Sequence, residues 1–216
     1  GYPNGIGAAG AVRNAGREGT KYRIHVAELN DIAFKLTIDN IYSTYQQHSN
    51  SRSSGGIAFL PGTGCKMKLN IVGDNRVGCV HILNSSSDNN NKLMFEGSGS
   101  LTVADVDYYM KSANDAADCG DYNPGYYSNW WCSAIGGNDG RGTCYGIEIN
   151  SGVIFAGTTK AENCTAIGAG GNDTGEITIN GGTVTAVSTT TGTAIGGGIG
   201  FHSAGGTGYV TITGGN

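Results

Sequence analysis

The strongest constraint on the fold of this chain is an internal repeat in its second half. Three segments, residues 132–157, 164–187 and 192–216, each contain Ala-Ile-Gly, then a glycine-rich stretch, an alternating apolar triplet and a turn of small residues. Alternation of apolar and polar residues is typical of a strand with one buried face. The repeat therefore predicts equivalent strands in successive units, at Ile147-Glu148-Ile149, Ile177-Thr178-Ile179 and Val210-Thr211-Ile212.

A fainter repeat precedes these segments. Ile24 aligns with Ile57, Leu36 aligns with Leu69 at the same spacing, and Leu93 is taken as the next equivalent position after Leu69. With three strands in each unit and like residues stacked about 4.8 Å apart, the expected fold is all-β: a right-handed parallel β-helix, a three-sided solenoid of about six coils. It would form a single domain over residues 1–216, with an irregular or partial coil at 1–21. The rungs are expected near Leu36, Leu69, Leu93, Ile147, Ile177 and Val210.

Several stretches also resemble a known type of repeat. KLNIVGDN (68–75), FEGSGSLTVA (95–104), AIGAGG (166–171) and EITINGGTVTA (176–186) resemble the glycine-rich parallel β-helix repeats of large bacterial surface and secreted proteins, including calcium-associated carbohydrate-binding β-helices. The resemblance covers most of the chain from about residue 24. It implies the fold and an extracellular location, but because solenoids carry many activities it does not by itself assign a function.

The stretch GIGAAG (5–10) matches the glycine pattern of a dinucleotide-binding turn. That pattern requires a strand before it, a helix after it and an acidic residue about 20 positions further on. Only the tetrapeptide GYPN precedes Gly5, and the chain holds 39 glycines in 216 residues. We therefore interpret GIGAAG as a corner of the coil type seen at 165–171, and not as a nucleotide site.

One connection is much longer than its equivalents. The stretch from Ala104 to Ala134 is about three times as long as the matching stretch from Ala156 to Ala166, and the one from Ala186 to Ala194 is shorter still. Insertions in solenoids lie on the loop face, which often binds ligands. We predict an aromatic loop insertion at residues 105–132.

The insertion holds both tryptophans of the chain and a group of tyrosines and aspartates. Aromatic rings stack on the C–H faces of sugars, while carboxylates accept hydrogen bonds from hydroxyl groups. The alternative is a loop that packs its own aromatic side chains against the flank of the fold. The candidate glycan-binding residues are Trp130, Trp131, Tyr126, Tyr127 and Tyr122 for stacking, with Asp118 and Asp121 for hydroxyl groups or an ion.

Six cysteines, with abundant Asn, Ser, Thr and Tyr, favour an oxidising compartment and thus a secreted or cell-surface protein. Six cysteines allow 15 pairings. We favour Cys119 with Cys132, Cys144 with Cys164 and Cys65 with Cys79. Cys132 with Cys164 is a competing pair, because both precede Ala-Ile-Gly by two positions.

Two Asn-Asp pairs occur in equivalent loops, and their aspartates, Asp139 and Asp173, are candidate calcium ligands. Asn-Asp is also an ordinary turn sequence, so the pattern makes calcium a candidate cofactor without assigning it. No paired carboxylates or nucleophile–base set occurs at consistent spacing, and we expect no enzymatic activity. A polysaccharide lyase or glycoside hydrolase remains an alternative.

The net charge is −4, without a basic run, which argues against nucleic acid as a partner. No apolar stretch approaches the roughly 20 residues that cross a bilayer, so no membrane insertion is expected. The first residues lack the pattern of a signal peptide, which is expected of a mature or excised segment.

The sequence predicts a non-catalytic extracellular domain, carbohydrate-binding or adhesin-like, that recognises a polysaccharide or glycan. The alternative from another class is a structural stalk or a fibre subunit that stacks end to end on like subunits.

Overall fold

The computed structural model describes residues 24–26, 33–43, 57–59, 64–82, 91–104, 133–136, 144–158, 165–168, 175–188, 194–196 and 208–216. All regular structure in these ranges is β-strand, and every strand pairing is parallel. The prediction of an all-β fold with parallel strands is confirmed for this part of the chain.

The strands form three sheets, which we number 1 to 3. Sheet 1 contains β1 (Ile24–Val26), β4 (Ile57–Phe59), β7 (Val80–Ile82), β10 (Ser133–Gly136), β13 (Thr165–Gly168) and β16 (Ile195–Gly196). Sheet 2 contains β2 (Ala33–Asp39), β5 (Lys66–Val72), β8 (Lys92–Gly97), β11 (Cys144–Ile149), β14 (Gly175–Ile179) and β17 (Gly208–Ile212). Sheet 3 contains β3 (Tyr42–Ser43), β6 (Asp74–Val77), β9 (Ser100–Ala104), β12 (Val153–Thr158) and β15 (Thr183–Ser188). Consecutive strands thus enter sheets 1, 2 and 3 in rotation.

Most of the predicted alignments are confirmed by the strand register. Ile24 pairs with Ile57, and Leu36 pairs with Leu69. In the second half of sheet 2, the three triplets are paired residue for residue: Ile147 with Ile177, and Ile177 with Val210. The repeat in the sequence therefore corresponds to neighbouring strands of one sheet.

One predicted alignment is wrong by two positions. Leu69 pairs with Phe95, while Leu93 pairs with Met67. A shift of two keeps every side chain on the same face of the strand, so alternation alone does not distinguish the two registers. The partner of Leu69 on the next strand is consequently Phe95 and not Leu93.

The core consists mainly of aliphatic side chains, with some aromatic ones, from all three sheets. In sheet 2, Leu69, Phe95 and Ile149 are fully buried neighbours. Full burial of such a side chain contributes about 1.5–3 kcal/mol. Sheet 1 adds Ile57, Val80, Ile135 and Ile167, and sheet 3 adds Leu101, Val103, Ile154 and Ala156.

Two buried asparagines connect successive strands at the ends of the core. The Asn75 side-chain oxygen accepts a hydrogen bond from the Ile41 N–H at 3.0 Å, and its amide donates to the Val72 and Ser100 carbonyls at 2.8 and 3.1 Å. The Asn91 side-chain oxygen accepts a hydrogen bond from the Cys65 N–H at 2.7 Å. These hydrogen bonds satisfy the two buried amides and the backbone groups that they contact, which is the general requirement for buried polar atoms.

Glycines stack on one another at the corner between sheets 2 and 3. The N–H of Thr183 donates to the Gly152 carbonyl at 2.9 Å, and the N–H of Asn216 donates to the Gly182 carbonyl at 3.0 Å. At Gly182, where φ is +84°, a Cβ atom would lie 2.6 Å from the carbonyl oxygen of Gly152. The corner therefore excludes side chains both by its positive φ and by the approach of the next backbone.

We predict that Gly182→Ala destabilises the fold by about 1–3 kcal/mol, because alanine must adopt a left-handed conformation and displace a backbone carbonyl. Chemical denaturation measures the free energy of unfolding. The matched control is Ser98→Ala, at an exposed position of an equivalent corner, which should change stability by less than about 0.5 kcal/mol. Equal stability of both variants would contradict the glycine stack.

Candidate functional site

The aromatic segment belongs to the connection between β9, which ends at Ala104, and β10, which begins at Ser133. The glycan-binding residues predicted from the sequence lie outside the described residues: Trp130, Trp131, Tyr126, Tyr127, Tyr122, Asp118 and Asp121. The strand ladders on both sides of the connection are continuous. β9 pairs with β6 and β12, while β10 pairs with β7 and β13. The long connection thus leaves the register of the scaffold intact.

The two predicted calcium ligands, Asp139 and Asp173, also lie outside the described residues. They belong to the connections from β10 to β11 and from β13 to β14. The strands before these connections are paired, with Gly136 beside Gly168. Within the described ranges, no group of three or more His, Cys, Asp or Glu side chains could hold a metal ion.

The predicted disulfide between Cys65 and Cys79 is not formed in the structure, and both residues are buried. The two cysteines lie directly before strands that belong to different sheets. Cys65 precedes a strand of sheet 2 and its N–H bonds to Asn91, whereas Cys79 precedes a strand of sheet 1 and its carbonyl accepts the N–H of Ile57. The two cysteines therefore do not occupy matching positions of neighbouring strands.

The other predicted pairs, Cys119 with Cys132 and Cys144 with Cys164, fall outside what the structure describes, and so does the competing pair of Cys132 with Cys164. The backbone of Cys144 opens β11 and pairs with Gly175.

The described residues contain a charged surface that the sequence motifs did not reveal. Four lysines lie close together on the outer face of sheet 2, on the neighbouring strands β2, β5 and β8. Lys35 is in register with Lys68, and Lys66 is in register with Lys92. We call this surface the lysine ladder and define it by Lys35, Lys66, Lys68 and Lys92.

Part of the lysine ladder has a signal in the sequence. The alignment of Leu36 with Leu69 also places Lys35 beside Lys68. The pairing of Lys66 with Lys92 has no such signal, because it depends on the register of β8.

Glu96 bridges the first pair of lysines. Its two carboxylate oxygens lie 3.1 Å from the ammonium of Lys35 and 3.4 Å from that of Lys68. Glu148 lies 3.8 Å from the ammonium of Lys92. About half of each of these three lysine side chains is exposed, so each ion pair contributes at most about 1 kcal/mol.

The outer face of sheet 2 carries two more carboxylates, on β2 and β14. Asp39 ends β2 and accepts a hydrogen bond from the Asn40 amide at 2.7 Å, while Glu176 lies on β14 in register with Tyr209. Neither forms an ion pair with a lysine of the described ranges.

Amide and hydroxyl groups bond from strand to strand where β11, β14 and β17 end. The Asn180 amide donates to the Asn150 side chain at 2.9 Å and to Glu148 at 3.4 Å. The Thr213 hydroxyl donates to the Asn180 side-chain oxygen at 2.8 Å. The polar groups at this end of the sheet are therefore largely satisfied by one another.

The outer face of sheet 3 has a different character. Arg76 lies 3.3 Å from Asp74, which accepts a hydrogen bond from the Ser100 hydroxyl at 2.7 Å. Towards β15 this face becomes apolar, with Val153 51% and Val187 37% exposed. The two outer faces therefore offer different chemistry, one with a cluster of positive charge and one partly apolar.

The described ranges contain no helix that is long and apolar enough to span a membrane. Comparison of the chain with protein-family models, with curated proteins and with solved structures gave no match.

The neighbouring lysines hold the pKa of Glu96 below its ordinary value of 4.5. The hydrogen bond from Lys35 has the largest effect, and the hydrogen bond and charge of Lys68 add to it, while partial burial acts in the opposite direction. A lowered carboxylate pKa stabilises the fold above pH 4.5, and this contribution disappears as the pH falls through the folded-state pKa.

We predict that NMR titration of the Glu96 carboxyl gives a midpoint below 4.5 in the unmodified protein. In Lys35→Gln the midpoint should rise towards the ordinary value, because the largest stabilising contact of the carboxylate is lost. Lys66→Gln is the control, since Lys66 lies on the same face but forms no ion pair with Glu96. A midpoint that is the same in both variants would show that Lys35 does not set this pKa.

Proposed function

We propose that the three sheets are the faces of a right-handed parallel β-helix, a three-sided solenoid of about six coils. The support is the order of the strands. Within the described ranges, consecutive strands enter the three faces in turn, so that sheets 1 and 2 contain six strands and sheet 3 contains five. The coils bury their aliphatic side chains on the coils above and below, as repeat architectures require.

We further propose that this β-helix is the scaffold of a non-catalytic extracellular domain that binds a polysaccharide or glycan. The aromatic segment at 105–132 would contact the sugar, with Trp130 and Trp131 as the principal stacking residues. The observation that carries the proposal is the continuity of the ladders across β9 and β10. Because the scaffold does not need this segment to keep its register, the unusual content of aromatic residues calls for a role other than strand pairing.

Carbohydrate recognition follows from the chemistry of these side chains. Large flat rings provide contact area at a small cost in conformational entropy, and adjacent carboxylates or amides bond to hydroxyl groups. The parallel sheets provide a rigid support, on which a binding loop is most effective.

We predict that a glycan array will detect binding by the unmodified chain. Trp130→Ala and Trp131→Ala should each weaken binding roughly tenfold or more, as truncation of an aromatic contact residue does. The control is Tyr209→Ala, which removes an aromatic ring that is 69% exposed on β17 and should leave binding unchanged. Equal binding by all variants, or none by the unmodified chain, would remove the stacking hypothesis.

A second candidate function, end-to-end stacking of like subunits, is favoured by the exposure of apolar side chains on β17. Ile212 continues the buried column of Ile149 and Ile179, yet it is 66% exposed, and Val210 is 40% exposed. An open strand edge with apolar side chains is a template for pairing with another chain. We propose a second copy of this chain as the occupant.

Sedimentation velocity over a wide range of concentrations tests this stacking. Assemblies larger than a monomer should form as the concentration rises, and Ile212→Lys should prevent them, because it places a charge in the contact. Val153→Lys is the control, since Val153 is also exposed but lies on an inner strand of sheet 3. A chain that stays monomeric at every concentration, or equal effects of both lysines, would contradict stacking.

A further inference from the structure

The lysine ladder places like charges side by side. Lys35 and Lys68 are direct partners on neighbouring strands, and so are Lys66 and Lys92. Strands in a sheet are about 4.8 Å apart, and like charges at opposed positions destabilise the pairing. Repulsion within two such adjacent pairs destabilises the sheet, and strand pairing does not require lysine at these positions.

The two carboxylates within ion-pairing distance of the lysine ladder compensate only part of its charge. Glu96 is shared by Lys35 and Lys68, and Glu148 lies at the outer limit of ion pairing from Lys92. Two carboxylates thus serve three ammonium groups.

The fourth lysine has no carboxylate partner among the described residues. Lys66 forms no ion pair with any residue that the structure describes. The lysine ladder is therefore a local excess of positive charge in a chain whose net charge is −4.

The geometry of the ladder suits an extended anion. The four lysine side chains project from neighbouring strands that are about 4.8 Å apart, with about 6.6 Å between alternate residues of one strand. The side chains of Lys35, Lys68 and Lys92 are about half exposed. Lysine is a flexible point charge, so such an array can pair with charged groups along a polymer without a fixed orientation of each group.

We propose that Lys35, Lys66, Lys68 and Lys92 form a binding site for an anionic polysaccharide that carries carboxylate or sulfate groups. The choice of a glycan as ligand rests on the proposed function, but the site uses different residues from the aromatic segment and needs no metal ion. Single-stranded nucleic acid is disfavoured because its sites combine cations with aromatic rings for base stacking. The outward residue beside Lys68 on β8, Met94, is not aromatic.

Binding measurements with three polymers of equal length test the site: dextran, carboxymethyl dextran and dextran sulfate. The unmodified chain should bind both anionic polymers more tightly than dextran, and the preference should fall as salt rises, because the interaction is electrostatic. The double variant Lys66→Gln/Lys92→Gln should weaken binding to the anionic polymers about tenfold. Unchanged binding by this variant would overturn the proposal.

Arg76→Gln is the matched control for the single variant Lys66→Gln, because each removes one positive charge, and Arg76 lies on the outer face of sheet 3, where it pairs with Asp74. It should change binding less than about twofold. A loss equal to that of Lys66→Gln would show that net charge, and not this site, determines binding. Lys66→Arg/Lys92→Arg should retain most of the affinity, since it keeps both charges, and failure to retain it would also count against charge pairing.

Two further measurements separate this site from a metal-dependent site and from a nucleic-acid site. Loss of binding on addition of a metal chelator would assign the affinity to a metal ion and overturn the lysine site. Tighter binding to a single-stranded DNA of equal charge than to dextran sulfate would overturn the choice of a glycan. Thermal unfolding should show that Lys66→Gln/Lys92→Gln is about as stable as the unmodified chain, because the loss of the long ion pair between Lys92 and Glu148 offsets the removal of a like-charge pair.

Binding measurements on the two sets of variants show separately whether the lysine ladder or the aromatic segment binds a glycan. If both exist, the tryptophan variants weaken binding of array glycans whether or not these are charged, whereas the lysine variants weaken only the charged ones. Lysine-dependent binding of dextran sulfate without any effect of Trp130→Ala would support the lysine ladder and count against the aromatic segment. The reverse pattern would support the aromatic segment and overturn the lysine ladder.

Discussion

The parallel, in-register pairing of strands is the constraint on which the rest of the structure depends. Apart from an irregularity between Cys144 and Ile147 in β11, it places residues beside the equivalent residues of the neighbouring strands, so that these positions form columns through each sheet. Columns of isoleucine, leucine and phenylalanine form the core. At the corner between sheets 2 and 3, the same rule stacks glycine on glycine, and the carbonyl of Gly152 lies where a side chain of Gly182 would have to be.

A column of apolar or amide side chains stabilises the sheet, whereas a column of like charges destabilises it. At one end of sheet 2, Asn150, Asn180 and Thr213 bond to one another across strands. The same geometry brings lysine next to lysine, and Glu96 relieves only one of the two pairs by reaching ammonium groups on two different strands. Sheet 2 therefore has polar side chains that bond to one another at one end and a local excess of positive charge at the lysine ladder. We propose that this charge serves to bind a ligand.

The two proposed sites would divide recognition between the scaffold and one of its connections. The connection at 105–132 adds aromatic side chains between two strands whose ladders are undisturbed. The scaffold itself adds the lysine ladder, whose side chains stem from strands held at fixed spacing by backbone hydrogen bonds. Stacking and charge pairing act on different parts of a glycan, so the two sites are compatible with one ligand.

The sequence by itself determined the strand type, the equivalence of the repeated triplets and the glycine corners. Alternation and spacing follow directly from the geometry of a strand, so Leu36 beside Leu69 and Ile147 beside Ile177 could be predicted from residues alone.

Only the tertiary structure decided the register of β8. A shift of two positions keeps the buried face, and the observed register is the one in which the N–H of Gly99 bonds to the Ile71 carbonyl at the corner. That register brings Glu96 to Lys68, and the structure places Cys65 before a strand of sheet 2 and Cys79 before a strand of sheet 1, with no disulfide between them. Both outcomes depend on contacts between residues far apart in the chain, for which a local pattern carries no signal.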